Sequence, residues 1–248
     1  MDFKLDMHMH TIASGHAYAT VLEMVKAGAE RGLELIGITE HAVGIPGTCD
    51  TMYFQNMRVI PRKMYGIEVM MGAEINILDY NGTLSLSEEL IDRTLDIRIA
   101  GIHDLCYMVG TVAQNTQAIV KAIENPRIDI ISHPDDARIP IDYETIVDAA
   151  KENHTLLEVN NSSLDCLSSR VGAWKNLQTM LKLCEDRKVP VIADTDSHFA
   201  DAVGVFDHVS VLFEELDFPE ELVINRSVDL LKEEIKKHRM IRKIGKQG

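Results

Sequence analysis

The sequence predicts a single-domain parallel α/β barrel of seven strands, and three observations carry that expectation. Short apolar runs alternate with stretches of helical spacing along most of the chain. The 248 residues, 46% of them hydrophobic, are enough to bury one full core and contain no linker that would mark a domain cut. Histidines and acids recur just past the ends of the apolar runs, the arrangement produced when strand ends meet at one face of a barrel.

Taken in order, Phe3 to His8 reads as the first strand. Thr20 and Glu23 have the spacing of a capping box, in which each side chain satisfies a free amide of the other, so a helix should run from there to Gly32. Leu33 to Thr39, Val69 to Ile77 and Ile97 to Ile102 read as buried strands. Ala118, Ile119, Ala122 and Ile123 mark one helix face, stopped by Pro126 and followed by the strand-like run Ile128 to Ile131. Asp142 is placed to cap a helix to about Asn153. Thr155 to Val159 is a sixth strand, Trp174, Leu177, Leu181 and Cys184 line a helix, and Val189 to Ala193 is the seventh strand. Ser227 to Arg239 reads as a closing helix, with a short basic tail after it. Ala42 to Met64, which holds Gly44, Pro46, Gly47 and Pro61, is expected as a long loop over the barrel mouth.

Composition narrows the function. No apolar run approaches the ~18 residues needed to cross a bilayer, and Met1 to His10 lacks the basic start and apolar stretch of a signal peptide. Cys49, Cys106, Cys166 and Cys184 form no CxxC pair, so neither a disulfide framework nor a zinc ribbon is indicated. A soluble, cytoplasmic protein is expected, with its state as a monomer or homo-oligomer left open. The formal net charge of -14 repels a long phosphate backbone, although bound cations in a pocket could still attract a small anion.

The chemistry lies in the strand-end residues. His8 and His10 close the first strand on one side, with His16 just beyond; His41 follows the second strand and Glu74 lies towards the end of the third. His103, His133, Asp196 and His198 follow later strands. Imidazole nitrogens and carboxylate oxygens suit zinc, manganese and iron, and nine such groups exceed the needs of one tetrahedral ion. They point to a cluster, with Glu74 and Asp196 as bridging carboxylates. His154, His208 and His238 fall in or near helices and are read as structural; Cys106 and the twelve methionines are read as apolar filling.

The motifs Asp6-Met7-His8-Met9-His10-Thr11, Thr39-Glu40-His41, Gly72-Ala73-Glu74-Ile75-Asn76, Ser132-His133-Pro134 and Asp196-Ser197-His198 occur in the order found in the PHP (polymerase and histidinol phosphatase) superfamily. With Glu158-Val159-Asn160-Asn161-Ser162-Ser163 the chain resembles the small stand-alone PHP phosphatases of the YcdX type, over about residues 5 to 235. That resemblance implies a distorted (β/α)7 TIM-like barrel spanning residues 1–248 as one PHP domain, with about three divalent ions in its mouth, zinc first and manganese or iron as alternatives. It also implies His8, His10, Glu74 and Asp196 around one ion, His16, His41 and His198 around a second, and Glu74 with His103 and His133 around a third. Glu40, Asp104, Asp135 and the Asp194-Thr195 pair depart from the usual pattern, and extra acids near the metals would disfavour a highly anionic substrate unless they point away.

The expected activity is hydrolysis of a small-molecule phosphate monoester by a metal-bound hydroxide, with Glu74 and Asp196 positioning it. Arg170 is placed to fork onto the phosphate, and Glu40 and Asp135 are candidate proton donors to the leaving group. A phosphodiesterase or exonuclease is the nearest alternative, and a non-catalytic metal-binding regulator on the same fold is another. From the net charge of -14, binding to duplex DNA at physiological salt should be weak. Fluorescence anisotropy showing sub-micromolar affinity with a steep salt dependence would overturn that expectation.

Overall fold

A computed structural model describes residues 1–244. Seven strands lie parallel in the order β1 (Leu5–Asp6), β2 (Leu35–His41), β4 (Ile67–Asn76), β5 (Ile97–Gly101), β6 (Ile130–Ile131), β7 (Leu156–Asn160) and β8 (Val191–Asp194). A short eighth, β3 (Lys63–Met64), folds back antiparallel onto β4 through Tyr65 and Gly66, whose φ values of 49° and 89° turn the chain between them. The sequence reading missed β3. The last few residues, expected as a basic tail, lie outside the described residues.

Helices cover the outside. Thr20 caps α1 (Val21–Glu30), and both bonds of the expected box are present: Thr20 N donates to Glu23 Oε2 at 2.7 Å and Glu23 N to Thr20 Oγ1 at 3.4 Å. Within the segment expected as loop, Ile45 does line the mouth, but the chain then forms α2 (Thr51–Asn56) and packs Phe54 and Met57 into the core. Ser87 caps α3 (Glu88–Thr94), Thr111 caps α4 (Val112–Ile123) and Asp142 caps α5 (Tyr143–Asn153), each accepting an amide of the first turn. The remaining helices are α6 (Ala173–Arg187), α7 (Asp207–Leu216) and α8 (Val228–Ile244). Among the described residues no helix is long and apolar enough to cross a membrane.

Strand alternation sorts side chains into two cores. Ile36, Ile38, Val69, Met71, Ala100 and Val159 face outwards into the layer between sheet and helices. Leu5, Leu35, Ile97, Ile99, Ile130, Leu156 and Ile192 form a smaller cluster that Leu231 and Ile235 of α8 join. Above that plug the inward positions turn polar, and that change creates the site. The methionines divide: Met7, Met9, Met24, Met57, Met71 and Met180 are core, whereas Met52 and Met108 are 73% and 80% exposed, so their reading as filling holds only in part.

β1 and β8 do not ladder together among the described residues, and polar side chains close the barrel between them. Asn225, fully buried, donates through Nδ2 to Leu5 O (2.9 Å) and Ala193 O (2.6 Å) and accepts from Ala193 N (2.7 Å). Asp194 accepts from Met7 N at 2.6 Å, and Asp6 accepts from Thr195 N at 3.1 Å and Thr195 Oγ1 at 2.6 Å. Higher up, His10 N donates to Ser197 O at 2.8 Å. Asn225→Ala would strand three buried backbone groups, each costing about 1–3 kcal/mol. We expect a urea midpoint lowered by an amount equal to at least ~2 kcal/mol; an unchanged midpoint would show that the seam does not depend on Asn225.

Candidate metal centre

The nine strand-end residues meet in one pocket above the inner core. Glu74, inside β4 and inaccessible to solvent, is its centre. His133 Nε2 lies 2.7 Å and His103 Nε2 3.2 Å from its Oε1, while His41 Nδ1 lies 2.8 Å and His8 Nε2 3.3 Å from its Oε2. The imidazoles form a continuous ring, with centroid separations of 5.0 Å for His8 and His10, 4.1 Å for His10 and His41, 5.3 Å for His41 and His103, and 5.2 Å for His103 and His133. His16 and His198 extend it outwards, their Nε2 atoms 3.1 Å apart. Asp196 Oδ1 sits 3.1 Å from His10 Nε2.

Local backbone serves this convergence. His133 and Asp196 hold φ of 29° and 53°, a region that costs a non-glycine residue on the order of 1–3 kcal/mol. Gly101 leaves room beside Glu74: a Cβ there would lie 2.2 Å from Ser132 Oγ and 3.4 Å from Glu74 Oε1.

The donor set fits divalent cations. Glu74 Oε2, His41 Nδ1 and His103 Nε2 are buried with no hydrogen-bond partner, although His41 Nδ1 lies 2.8 Å from Glu74 Oε2 and His103 Nε2 3.2 Å from Glu74 Oε1. Such contacts lack hydrogen-bond geometry and are those of groups facing a common third body. His8, His10 and Glu74, His41, Glu74 and His103, and His10, His41 and His198 each offer ligand atoms within 4.8 Å of one another. This grouping places His41 with His10 and with Glu74 and His103 as well as beside His16 and His198.

Electrostatics hold most of these groups in the protonation states a cation requires; His8 is the exception, since against burial the charges of Glu158, Glu74 and Asp196 raise it well above the usual imidazole range. Burial pushes the Glu74 carboxyl up, but His103, His8, His41 and His133 overcome it and hold it well below the usual range. Asp196 is likewise raised by burial and then held well below by His8 and Arg170. Burial, followed by the charge of His41, pulls His10 well down, and His16 is lowered by the same two causes. Burial followed by Arg170 lowers His133.

A second layer, missed in the sequence, orients these ligands. Glu158 Oε1 pairs with His8 Nδ1 at 2.6 Å while its Oε2 accepts from His133 N at 2.6 Å and from Asn160 Nδ2 at 3.0 Å. Asn76 Oδ1 pairs with His103 Nδ1 at 2.8 Å, and the Asp196 carbonyl with His198 Nδ1 at 2.9 Å. Each contact suits a ring that donates from Nδ1 and turns Nε2 to the pocket. The signals available were Glu158, an acid at an inward position of an apolar strand, and the place of Asn76 and Asn160 in the quoted motifs, none of which names the ring each one holds.

The unusual acids divide: Glu40, Asp104 and Asp194 are paired, whereas both carboxylate oxygens of Asp135 are buried without a hydrogen-bond partner. Glu40 faces out of the barrel and accepts from Thr11 N (3.0 Å) and Ser14 Oγ (2.6 Å), so it is removed as a proton donor to the leaving group. Asp104 pairs with Arg138 at 3.2 Å, and Asp194 belongs to the barrel seam. Asp135 is fully buried, and burial pushes it up to about 7 against the pull of Arg170. Arg170 spans the site wall, donating to Asp196 Oδ2 at 2.9 Å and Ser163 Oγ at 3.0 Å. Cys106 is half-buried, so its reading as core filling is only partly met. His154 pairs with Glu234, His208 approaches Asp165 and His238 bonds the Asn153 carbonyl, all away from the ring.

Fold and pocket together define a TIM-like barrel with a divalent-metal centre at the carboxyl ends of its strands. The family model described as "PHP domain" matches residues 6–169, and the chain belongs to the PHP family. A "Probable phosphatase" of Clostridium novyi is 43% identical over 91% of this chain and 91% of its own length. Another "Probable phosphatase", from Acetivibrio thermocellus, is 42% identical over 96% of this chain and 97% of its own. Among solved structures, a histidinol phosphate phosphatase from Lactococcus lactis, complexed with zinc, L-histidinol and phosphate, superposes with a TM-score of 0.64. It shares 19% identity, over 87% of this chain and 94% of that one.

If Glu158 fixes His8, Glu158→Gln should fold normally yet bind divalent metal about 10–100-fold more weakly. Competition with a fluorescent chelator measures this, and unchanged affinity would remove Glu158 from the centre.

Proposed function

We propose that this PHP-family phosphatase hydrolyses the phosphate monoester of a small molecule at a centre of three divalent ions, with zinc the preferred metal and manganese or iron the alternatives. The observation that carries the reading is Glu74, buried and ringed by imidazoles, with Oε2 and two facing ring nitrogens unpaired. His8, His10, Glu74 and Asp196 would hold one ion, His16, His41 and His198 a second, and Glu74, His103 and His133 the third. Such ions supply Lewis acidity to phosphoryl oxygens and bring the pKa of a water towards ~7.

The remaining work falls to the protein. Glu74 and Asp196, kept ionised by their neighbours, hold negative charge at fixed positions and would be shared between the ions. Arg170, tied to Asp196 and lining the mouth beside His16 and His198, positions that carboxylate and offers its guanidinium edge to a phosphoryl oxygen. The mouth encloses about 480 Å³, the scale of a small ligand. The Lactococcus protein that shares the fold carries zinc and phosphate, in keeping with this chemistry. Because the centre draws on residues from His8 to His198 and α8 packs on the inner core, residues 1–248 are taken to act as one domain.

Elemental analysis of protein purified without chelator should give about three ions per chain; one or fewer after metal supplementation counts against the cluster. Glu74→Gln should keep a wild-type circular dichroism spectrum, bind fewer ions and lose at least ~100-fold in nitrophenyl phosphate turnover, equal to about 2.7 kcal/mol of transition-state stabilisation. Near-normal turnover with a full metal complement would refute the bridging role. A diester cleaved faster than the monoester would replace phosphatase by phosphodiesterase.

A further inference from the structure

Outside the barrel wall, between α2 and α3, lies a groove of about 1380 Å³ that shares no residue with the mouth. Five arginines line it: Arg58, Arg62, Arg93, Arg98 and Arg239. Three acids, Glu89, Asp92 and Asp96, accompany them, so the lining is cationic in a chain whose formal net charge is -14.

Most of these charges are committed. Arg62 pairs with Asp96 at 2.5 Å, Arg93 with Glu89 at 2.7 Å and Arg239 with Asp129 at 2.6 Å, while Asp92 takes Arg127 at 3.1 Å. Arg98 is the exception. It stands on β5, where Ile97 and Ile99 point into the barrel and Arg98 points out. Only 8% of it is exposed, its Nε has no hydrogen-bond partner, and its side chain forms no hydrogen bond or ion pair among the described residues. Burial, then the neighbouring charge of Arg239, lowers its pKa. Asp129 and Asp92 stand near enough to oppose that lowering, but neither bonds the guanidinium, whose planar fork matches an oxyanion. Arg58, exposed at the rim, also has no ion-pair partner among the described residues.

We propose that this groove is a second binding site, separate from the metal centre, for a small molecule bearing an oxyanion, phosphate or carboxylate, which seats on Arg98 and is drawn in by Arg58. The oxyanion supplies the missing acceptors at Arg98. Its place is also specific: Arg98 aligns with Ala73, and Ala73 precedes Glu74, so the two anion-attracting sites back onto opposite faces of one stretch of β4.

Calorimetric titration of the metal-loaded protein with inorganic phosphate tests this, with succinate as a parallel probe that separates phosphate from carboxylate preference. Wild-type protein should take up phosphate or succinate at a site that Arg98→Met weakens at least ~10-fold and Arg58→Glu at least ~5-fold. Any phosphate bound at the metal centre should be unaffected by either substitution. Arg58 is exposed, so that variant reports even where Arg98→Met fails to fold. Binding of both probes that neither substitution alters would overturn the proposal. So would concentration-dependent self-association abolished by Arg58→Glu without any such anion site, because the groove would then serve a protein partner.

Discussion

One buried carboxylate sets the terms for the rest of the molecule. Glu74 has no exposure to water, and an isolated charge at such a site would be neutralised by protonation rather than tolerated. It stays ionised because four imidazoles from β1, β2, β5 and β6, or the residues just beyond them, close around it. Those imidazoles require a barrel whose strand ends converge, and their positions are meaningful only if each strand keeps its register. Cations would complete the balance, taking up the lone pairs that no hydrogen in the protein satisfies.

The barrel seam has the same character. Where β1 and β8 do not form a ladder, Asp6, Asp194 and Asn225 replace backbone pairing with side-chain bonds to backbone. The chain then continues from Asp194 to Asp196 and from Asp6 to His8, so seam and site are adjacent along both segments. Glu158 adds a third link by holding the ring of His8 and the amide of His133. Local strain at His133 and Asp196 is offset by these surrounding contacts, which hold the ligands in place before any metal arrives.

Much of this was legible because it rests on periodicity and on which end of a strand a residue occupies. The seven parallel strands, the Thr20 capping box and the nine pocket residues follow from patterns spanning fewer than about ten residues. The missing elements have physical reasons. β3 is a two-residue strand made by a positive-φ turn at Tyr65 and Gly66, and α2 is six residues long, too short for helical spacing to register. Glu158 is read as an acid in a strand, but its partner His8 is 150 residues away, and Asn225 bridges to Leu5 across 220. Glu40 misled for the converse reason: it precedes the ligand His41, and alternation turns it to the other side of β2, where Thr11 and Ser14 bind it.

That alternation explains how one sheet carries two kinds of anion chemistry without mixing them. On β4 and β5 the inward positions Glu74 and Gly101 form the metal pocket, while the outward Ala73 and Arg98 lie on the other side of the wall. One sheet thick, that wall does not screen charge, since an interior of low dielectric transmits charge further than water does. The pocket tolerates Arg98 nearby because its own balance is local, each carboxylate facing imidazoles or Arg170 at 2.7 to 3.6 Å. The helical shell, in contrast, leaves Arg98 with no such neighbour. Asp129 and Asp92 offset part of its charge from a distance, but the guanidinium keeps donors that the described residues do not bond, and an oxyanion entering the groove would take them up.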